Sequence, residues 1–186
     1  MTSNIFSSFK RLALNAVVAS AAALAGTGFV SNAYAVAATS TATSTVIVPI
    51  AITAPVALSF GRFAHGTGGS VTISNSGVRT ASGVILSSSS GVQTAARFDV
   101  TGDGSSTYAI THSGVTVLSD SATTPNTMAL AKTSDLTGSN VTTGNVSTGT
   151  LSSGAQSIYI GGTLTVGASQ VAGTYTGAVT VTVEYN

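Results

Sequence analysis

The fold class follows most directly from the last stretch of the chain, Tyr175-Thr176-Gly177-Ala178-Val179-Thr180-Val181-Thr182-Val183-Glu184-Tyr185. Its odd positions carry Tyr, Gly and Val, whereas its even positions carry Thr, Ala and Glu. Side chains alternate between the two faces of a β-strand, so this pattern predicts a strand with one buried face and one solvated face.

The chain before it repeats this signal in shorter runs. Val, Ile, Thr and Tyr favour extended backbone, and no window shows a sustained apolar period of 3.6 residues. Gly, Ser, Asn and Asp separate the runs, as in Asn75-Ser76-Gly77 and Gly102-Asp103-Gly104-Ser105, and residues 138–149 are typical of a long exposed loop. We predict strands at residues 45–52, 57–60, 69–74, 78–86, 95–101, 106–112, 114–118, 127–132, 156–166 and 175–185. Many short strands between regular turns predict an all-β, immunoglobulin-like β-sandwich.

The first residues have the pattern of an export signal. Lys10 and Arg11 precede an apolar and small-residue run at 12–30, and Ala33-Tyr34-Ala35 has the small-x-small form of a signal peptidase site. We therefore predict that residues 1–35 are a cleaved signal peptide. The alternative is a transmembrane anchor, because the run is about as long as a spanning helix. No later stretch could span a bilayer as a helix, so we expect no transmembrane span after removal of the signal.

Composition excludes several classes of function. Removal of the signal changes the formal net charge from +1 to −1, since four basic and five acidic side chains remain. No basic patch is left, so nucleic acid is not an expected partner. The chain has no cysteine, and an exported domain without disulfides must be held by burial, by sheet hydrogen bonds and by association.

The residue types needed for catalysis or metal binding are scarce. His65 lies in the Gly-rich stretch Arg62-Phe63-Ala64-His65-Gly66-Thr67-Gly68-Gly69, but no Gly-x-Ser-x-Gly elbow accompanies it. No His, Asp or Glu cluster has the spacing of metal ligands. Asp99 and Asp103 flank a turn and could hold a weak Ca²⁺, although aspartates at turns usually bond to their own backbone. We predict a protein that is not an enzyme and that uses no cofactor and no metal.

A second alternating stretch, Thr45-Val46-Ile47-Val48-Pro49-Ile50-Ala51-Ile52, follows a lead of small uncharged residues. In an extended chain its even positions form one apolar ridge made of Val46, Val48, Ile50 and Ile52. Pro49 has no N–H and must lie at a bulge or at an unpaired edge. A lead followed by such a ridge is suited to insertion into a sandwich, either the chain's own or that of a neighbour.

Three stretches together resemble a known family. They are the ridge at 46–52, the motif Leu58-Ser59-Phe60-Gly61, which is similar to the family's Leu-Asn-Phe-Gly signature, and a C-terminal block. The block comprises Gly162-Thr163-Leu164-Thr165-Val166-Gly167, then Gly173-Thr174-Tyr175-Thr176-Gly177 and the final Val-Thr alternation. The chain thereby resembles the secreted pilin subunits of archaic and alternative chaperone-usher systems, which include spore coat protein U-like and fimbrillin-like domains. It lacks the cysteine pair of some relatives.

This resemblance implies a structural subunit of a bacterial surface pilus or fimbria that assembles by donor-strand complementation. Residues 36–52 would be the N-terminal extension and donor strand, and residues 53–186 an incomplete sandwich. Val46, Val48, Ile50 and Ile52 would enter the pockets of another subunit. The implied partners are copies of the same chain in a filament, a periplasmic chaperone and an outer-membrane usher, and the implied location is the periplasm and then the cell surface. An alternative from another class is a carbohydrate-binding or adhesive tip domain on the same scaffold.

Overall fold

The structure is a computed structural model that describes residues 35–88 and 91–186. The predicted signal peptide lies outside these residues except for Ala35. The chain divides into two units, Met1–Thr43 and Ser44–Asn186. In the first unit, residues 35–43 are exposed and have no regular secondary structure. The second unit contains every strand of the described residues.

The described residues form twelve strands and no helix. The strands are β1 (Ala51–Val56), β2 (Phe63–Ala64), β3 (Gly69–Ile73), β4 (Arg79–Ser82), β5 (Ile85–Leu86), β6 (Ala96–Thr101), β7 (Thr107–Gly114), β8 (Val117–Ser119), β9 (Thr127–Asp135), β10 (Thr148–Thr150), β11 (Ala155–Val166) and β12 (Val179–Tyr185). The fold is therefore all-β, as the sequence predicts.

The larger of the two main sheets is built around the long strand β11. Its first half pairs with β6 and its second half with β3 along the same edge, while β9 pairs with the opposite edge. The outer strands β1, β4 and β8 flank β6, β3 and β9, respectively. The second sheet has the order β10-β7-β12, and β2 and β5 form a short separate pair. All pairs are antiparallel.

Two apolar clusters form the core. The first lies between the two sheets and is built mainly from Ala96, Phe98, Val100, Tyr108, Ile110, Leu151, Ile158, Ile160 and Val181. The second lies on the other half of the larger sheet and is built from Phe60, Val71, Ile73, Met128, Leu130, Leu164 and Val166. Even-numbered residues of β11 enter both clusters because its side chains alternate. The arrangement is sandwich-like, which confirms the predicted architecture.

The turns follow the predicted chemistry. Gly77 has a φ of 85° in the β3–β4 hairpin, a conformation that glycine adopts without a steric penalty. Residues 102–105 form a corner that carries the chain from β6 in the larger sheet to β7 in the second sheet. The predicted loop at 138–149 is correct up to residue 147, where it gives way to β10.

The predicted strands at 45–52 and 57–60 are wrong in their bounds. β1 begins only at Ala51, which pairs with Thr101, the last residue of β6. Since the chain turns the corner at Gly102, residues before Ala51 find no partner on β6. Pro55 lies at the register shift of β1, where a missing N–H can be tolerated. The predicted boundary between residues 52 and 53 falls within β1.

A buried amide joins three strands of the larger sheet. Asn75 is completely buried, and its Oδ1 accepts hydrogen bonds from the Gly161 N–H at 2.8 Å and from the Thr133 hydroxyl at 3.0 Å. Gly161 has no side chain here because a Cβ would clash with the Ile73 carbonyl oxygen. The turn after β3 is thus fixed to the centres of β9 and β11.

We predict that Asn75→Ala lowers the free energy of unfolding by about 1–3 kcal/mol, because it leaves the Gly161 N–H buried without its acceptor. Chemical denaturation of a chain that begins at residue 36 measures this change. Thr80→Ala, at an exposed position of β4, is the control and should stay within about 0.5 kcal/mol of the parent. Equal effects of the two substitutions would contradict the assignment.

Candidate functional site

The sandwich is open along one side. β12 pairs with β7 from Val179 to Tyr185, and no strand of the described residues pairs with its other edge. On the larger sheet β1 pairs with β6 alone within the same residues. β1 and β12 approach each other. Two sheet edges with free backbone N–H and C=O groups therefore face one side of the domain.

A groove of about 1010 Å³ with an apolar floor and mixed walls lies where β12 begins. Its floor is the second core cluster, represented by Met128, Leu130, Leu164 and Val166. One wall consists of residues 58–65, and the other of residues 170–177. Of the second sheet, only Val179 at the start of β12 lines this groove, and the walls come from β2 and from segments outside the named strands. Concave apolar surfaces of this kind are typical binding sites.

The Leu58-Ser59-Phe60-Gly61 motif lies in the first wall, where its residues have identifiable structural roles. Ser59 exchanges two backbone hydrogen bonds with Thr94, and its hydroxyl donates to the Val92 carbonyl at 2.7 Å. Phe60 is buried in the second core cluster. Gly61 has a φ of 69°, and a Cβ there would lie 2.5 Å from a guanidinium nitrogen of Arg79. Ser59, Phe60 and Gly61 thus each have a separate structural role.

Arg79 holds this wall in place from the neighbouring strand β4. Its Nη1 donates to the carbonyl oxygens of Phe60 at 3.0 Å and of Arg62 at 3.3 Å. Its Nη2 donates to the Ser87 carbonyl at 3.0 Å. The planar guanidinium presents several donors in a fixed geometry, so one side chain can bind three carbonyls. Arg79 therefore links the groove wall to the segment that follows β5.

The second wall is held by a tyrosine. The Tyr175 hydroxyl accepts a hydrogen bond from Gln170 Nε2 at 2.7 Å and donates one to the Val171 carbonyl at 2.8 Å. Its ring packs against the second core cluster. Thr176 exchanges two backbone bonds with Ser119, and Gly177 has no room for a side chain beside Val115. The Gly-Thr-Tyr-Thr-Gly block therefore fixes this wall against β8.

Two side chains have shifted pKa values, and each shift has a structural cause. Asp120, which follows β8, has its pKa lowered from 3.8, chiefly by a hydrogen bond from the Asn126 side chain at 2.7 Å. Burial raises the pKa of Tyr108 above 10.0, and its hydroxyl donates to Gln156 at 3.0 Å. The lowered pKa means that the ionised form of Asp120 favours the folded loop, an effect lost as the pH falls through that pKa.

The structure separates the four residues predicted to form a donor strand. Val46 is 95% exposed and Val48 55% exposed, and both lie before β1 without regular secondary structure. Ile50 and Ile52 are partly buried against the first core cluster of their own chain. Ile52 also lies within β1, where it pairs with Val100.

The histidines have structural partners. His65 lines the first wall and contacts the Gly66 carbonyl through Nδ1 at 3.0 Å. His112 Nε2 lies 2.8 Å from the Val146 carbonyl and 3.1 Å from the Ser134 hydroxyl. Asp99 forms an ion pair with Arg97 at 3.1 Å. Across residues 35–88 and 91–186, no three His, Cys, Asp or Glu side chains are grouped to hold a metal, and no helix could cross a membrane.

Sequence reasoning missed the contacts of Arg79, Tyr175 and Tyr185. Each of these side chains forms hydrogen bonds with backbone atoms of other segments. The alternation of residues within a strand does not predict such partners. The sequence does contain one indication for Arg79. It is one of only four basic residues after the predicted signal peptide, and it lies in a predicted strand. Such a residue in so uncharged a chain indicates a specific partner.

These features define an all-β, sandwich-like domain with an open groove at the start of β12, whose outer edge has no partner strand in the described residues. Residues 50–185 match the family described as "Domain of unknown function (DUF4402)", and the chain belongs to this family. The matched region begins at the residue before β1 and ends at the last residue of β12. Searches of curated proteins and of solved structures gave no match.

We predict that Arg79→Met loosens the first groove wall because it removes three donated hydrogen bonds. Amide hydrogen exchange of residues 59–63 should accelerate, and the free energy of unfolding should fall by about 1–3 kcal/mol. Thr80→Ala, at the exposed next position of β4, is the control and should leave exchange in the wall unchanged. Unaltered exchange in Arg79→Met would show that the wall is held by other contacts.

Proposed function

We propose that this protein is a structural subunit of a bacterial surface pilus or fimbria and that it polymerises by donating its N-terminal segment to another copy. The observation that carries this proposal is that one chain has both an unfilled apolar groove beside a free strand edge and an exposed apolar segment ahead of β1. The resemblance of three sequence stretches to chaperone-usher pilins supports the same conclusion. The proposed protein is exported and is not an enzyme.

Strand addition would use the free edge of β12 for affinity and the groove for specificity. In this mode of recognition, main-chain hydrogen bonds join the added strand to the sheet, and alternate side chains enter pockets. Val46 and Val48 are the ridge residues free to do so. At about 1.5–3 kcal/mol for each fully buried side chain, together they supply roughly 3–6 kcal/mol as an upper estimate.

Donation of Ile50 and Ile52 to another subunit would bury little additional apolar surface, because both side chains already pack in their own domain. Moving them to another subunit would remove β1 from β6 and expose the first core cluster, so the new burial would replace an existing one. We therefore place the donated part of the predicted ridge ahead of Ile50. The ridge residues from Ile50 onward complete the edge of the donor's own larger sheet.

Before assembly, a subunit whose groove and β12 edge are unoccupied would need protection from wrong pairing. Its free β12 edge and apolar groove are the kind of surface that pairs wrongly with other chains. A periplasmic chaperone that covers this side, and an outer-membrane usher that replaces the chaperone with the next subunit, are the partners that fit this requirement. They belong to the proposal, as does the cell surface as the final location.

We predict that Val46→Asp combined with Val48→Asp lowers the multimer fraction of the mature chain at least about tenfold, because a charge is costly in an apolar groove. The unfolding midpoint of the subunit should not change, since both side chains are exposed. Light scattering and electron microscopy measure assembly, and denaturation measures stability. Ile47→Asp is the matched control, because an extended strand turns this residue to its opposite face.

Normal fibres from the double variant would contradict strand donation by Val46 and Val48. A parent protein that stays monomeric and binds sugars on a glycan array would instead favour the carbohydrate-binding interpretation. If Ile47→Asp abolished assembly as fully as the double variant, any charge in the segment would block multimers. The ridge face of the segment would then not be specifically required.

A further inference from the structure

The N-terminal segment leaves the sandwich far from the groove. Val179, the first residue of β12, lines the groove, and Tyr185, the last residue of β12, donates its hydroxyl proton to the Val48 carbonyl at 2.9 Å. Six residue steps of about 3.4 Å separate these two positions, which is roughly 20 Å along the strand. The exit of the segment and the groove therefore lie at opposite ends of β12.

Tyr185 is itself fixed at this exit. Its hydroxyl oxygen accepts a hydrogen bond from the Asp103 N–H at 2.6 Å, in the corner between the two sheets. It lies so close to Gly102 that a Cβ on that residue would clash with it. The ring packs against the first core cluster. The hydroxyl thus joins the C-terminal strand, the corner and the N-terminal segment at one point.

The segment is long enough to fold back on its own domain. Residues 36–47 span up to about 40 Å when extended, about twice the length of β12. A segment that turned back at Val48 could therefore pair with the free edge of its own β12 and reach its own groove. That edge and that groove are the ones a donated strand from a second copy would use, so the two events exclude each other.

We propose that Tyr185 is a positioning residue that holds the chain at Val48 in its outward course and so directs the segment to the groove of a second copy. This inference rests on the proposed strand donation. The groove lies at one end of β12 and the Val48 carbonyl bound by Tyr185 at the other, so strand donation between copies is head-to-tail and extends into a filament. Loss of the Tyr185 hydroxyl favours self-insertion, which closes the subunit as a monomer.

Disulfide trapping can test this directly, because the chain contains no cysteine. Val46→Cys marks the segment, and Ala64→Cys or Ala172→Cys marks one groove wall or the other. Mixing the mature single-cysteine proteins should give disulfide-linked dimers. A double-cysteine chain should give a ladder of multimers together with a small share of internally linked monomer.

Tyr185→Phe in the double-cysteine chain keeps the ring and removes the hydroxyl. We expect the internally linked share to rise roughly two- to tenfold, which is the population change that corresponds to losing one hydrogen bond. Gly102→Ala is a second route to the same result, because its Cβ displaces the Tyr185 hydroxyl. Tyr159→Phe is the matched control, since its ring packs beside Gly138 in another part of the sheet, and it should leave the share unchanged.

An unchanged internal share in both Tyr185→Phe and Gly102→Ala, with normal dimers from the mixed single-cysteine proteins, would overturn the role of Tyr185 and leave strand donation intact. Absence of dimers from the mixed proteins would overturn strand donation and this inference with it. An equal rise in Tyr159→Phe would also overturn it, because the effect would then not be specific to the exit.

Discussion

The free backbone edge of β12 is the constraint around which the domain is arranged. β7 pairs with one side of this strand along its whole length, whereas no strand of the described residues pairs with its other side, and β12 also approaches β1 of the larger sheet. An exposed edge with a groove at its end is suited to strand addition, the mode of assembly that we propose. The free edge, the groove and the exposed N-terminal segment therefore have one common explanation.

The walls of the groove are held by long-range contacts rather than by disulfides. Arg79 binds the wall at 58–65 through backbone carbonyls, and Tyr175 fixes the wall at 170–177 through Gln170 and Val171. Asn75 joins the turn after β3 to the central strands beneath. In a chain without cysteine, buried and partly buried hydrogen bonds of this kind keep the floor and the walls of the groove in register.

Most of the strands could be predicted because their alternation is local. β11, β12 and the β3–β4 hairpin follow from the period of two and from Gly77, although the structure divides the predicted strand at 78–86 into β4 and β5. The start of β1 could not be predicted in this way. It depends on where β6 ends, and β6 ends at a corner some fifty residues further along the chain. An apolar ridge shows that a stretch can be a strand but does not identify its partner.

The candidate site could likewise be predicted only in part from the sequence. The apolar ridge at 46–52 and the two glycine-containing motifs were visible in the sequence, and the structure places those motifs on the groove walls. The ridge itself is split, because the side chains of Val46 and Val48 are exposed, whereas those of Ile50 and Ile52 pack against the first core cluster. The contacts of Arg79 and Tyr185 could not be predicted, since a side chain that binds distant carbonyls leaves no periodic pattern in the sequence.

Hydrogen exchange along β12 tests the central claim most directly. The isotope-labelled mature chain would be compared with and without an excess of an unlabelled peptide covering residues 36–50. If the free edge accepts this segment, the β12 amides that point away from β7 become protected when the peptide is added, whereas those bonded to β7 do not change. Identical exchange at every β12 amide with and without the peptide would contradict the account.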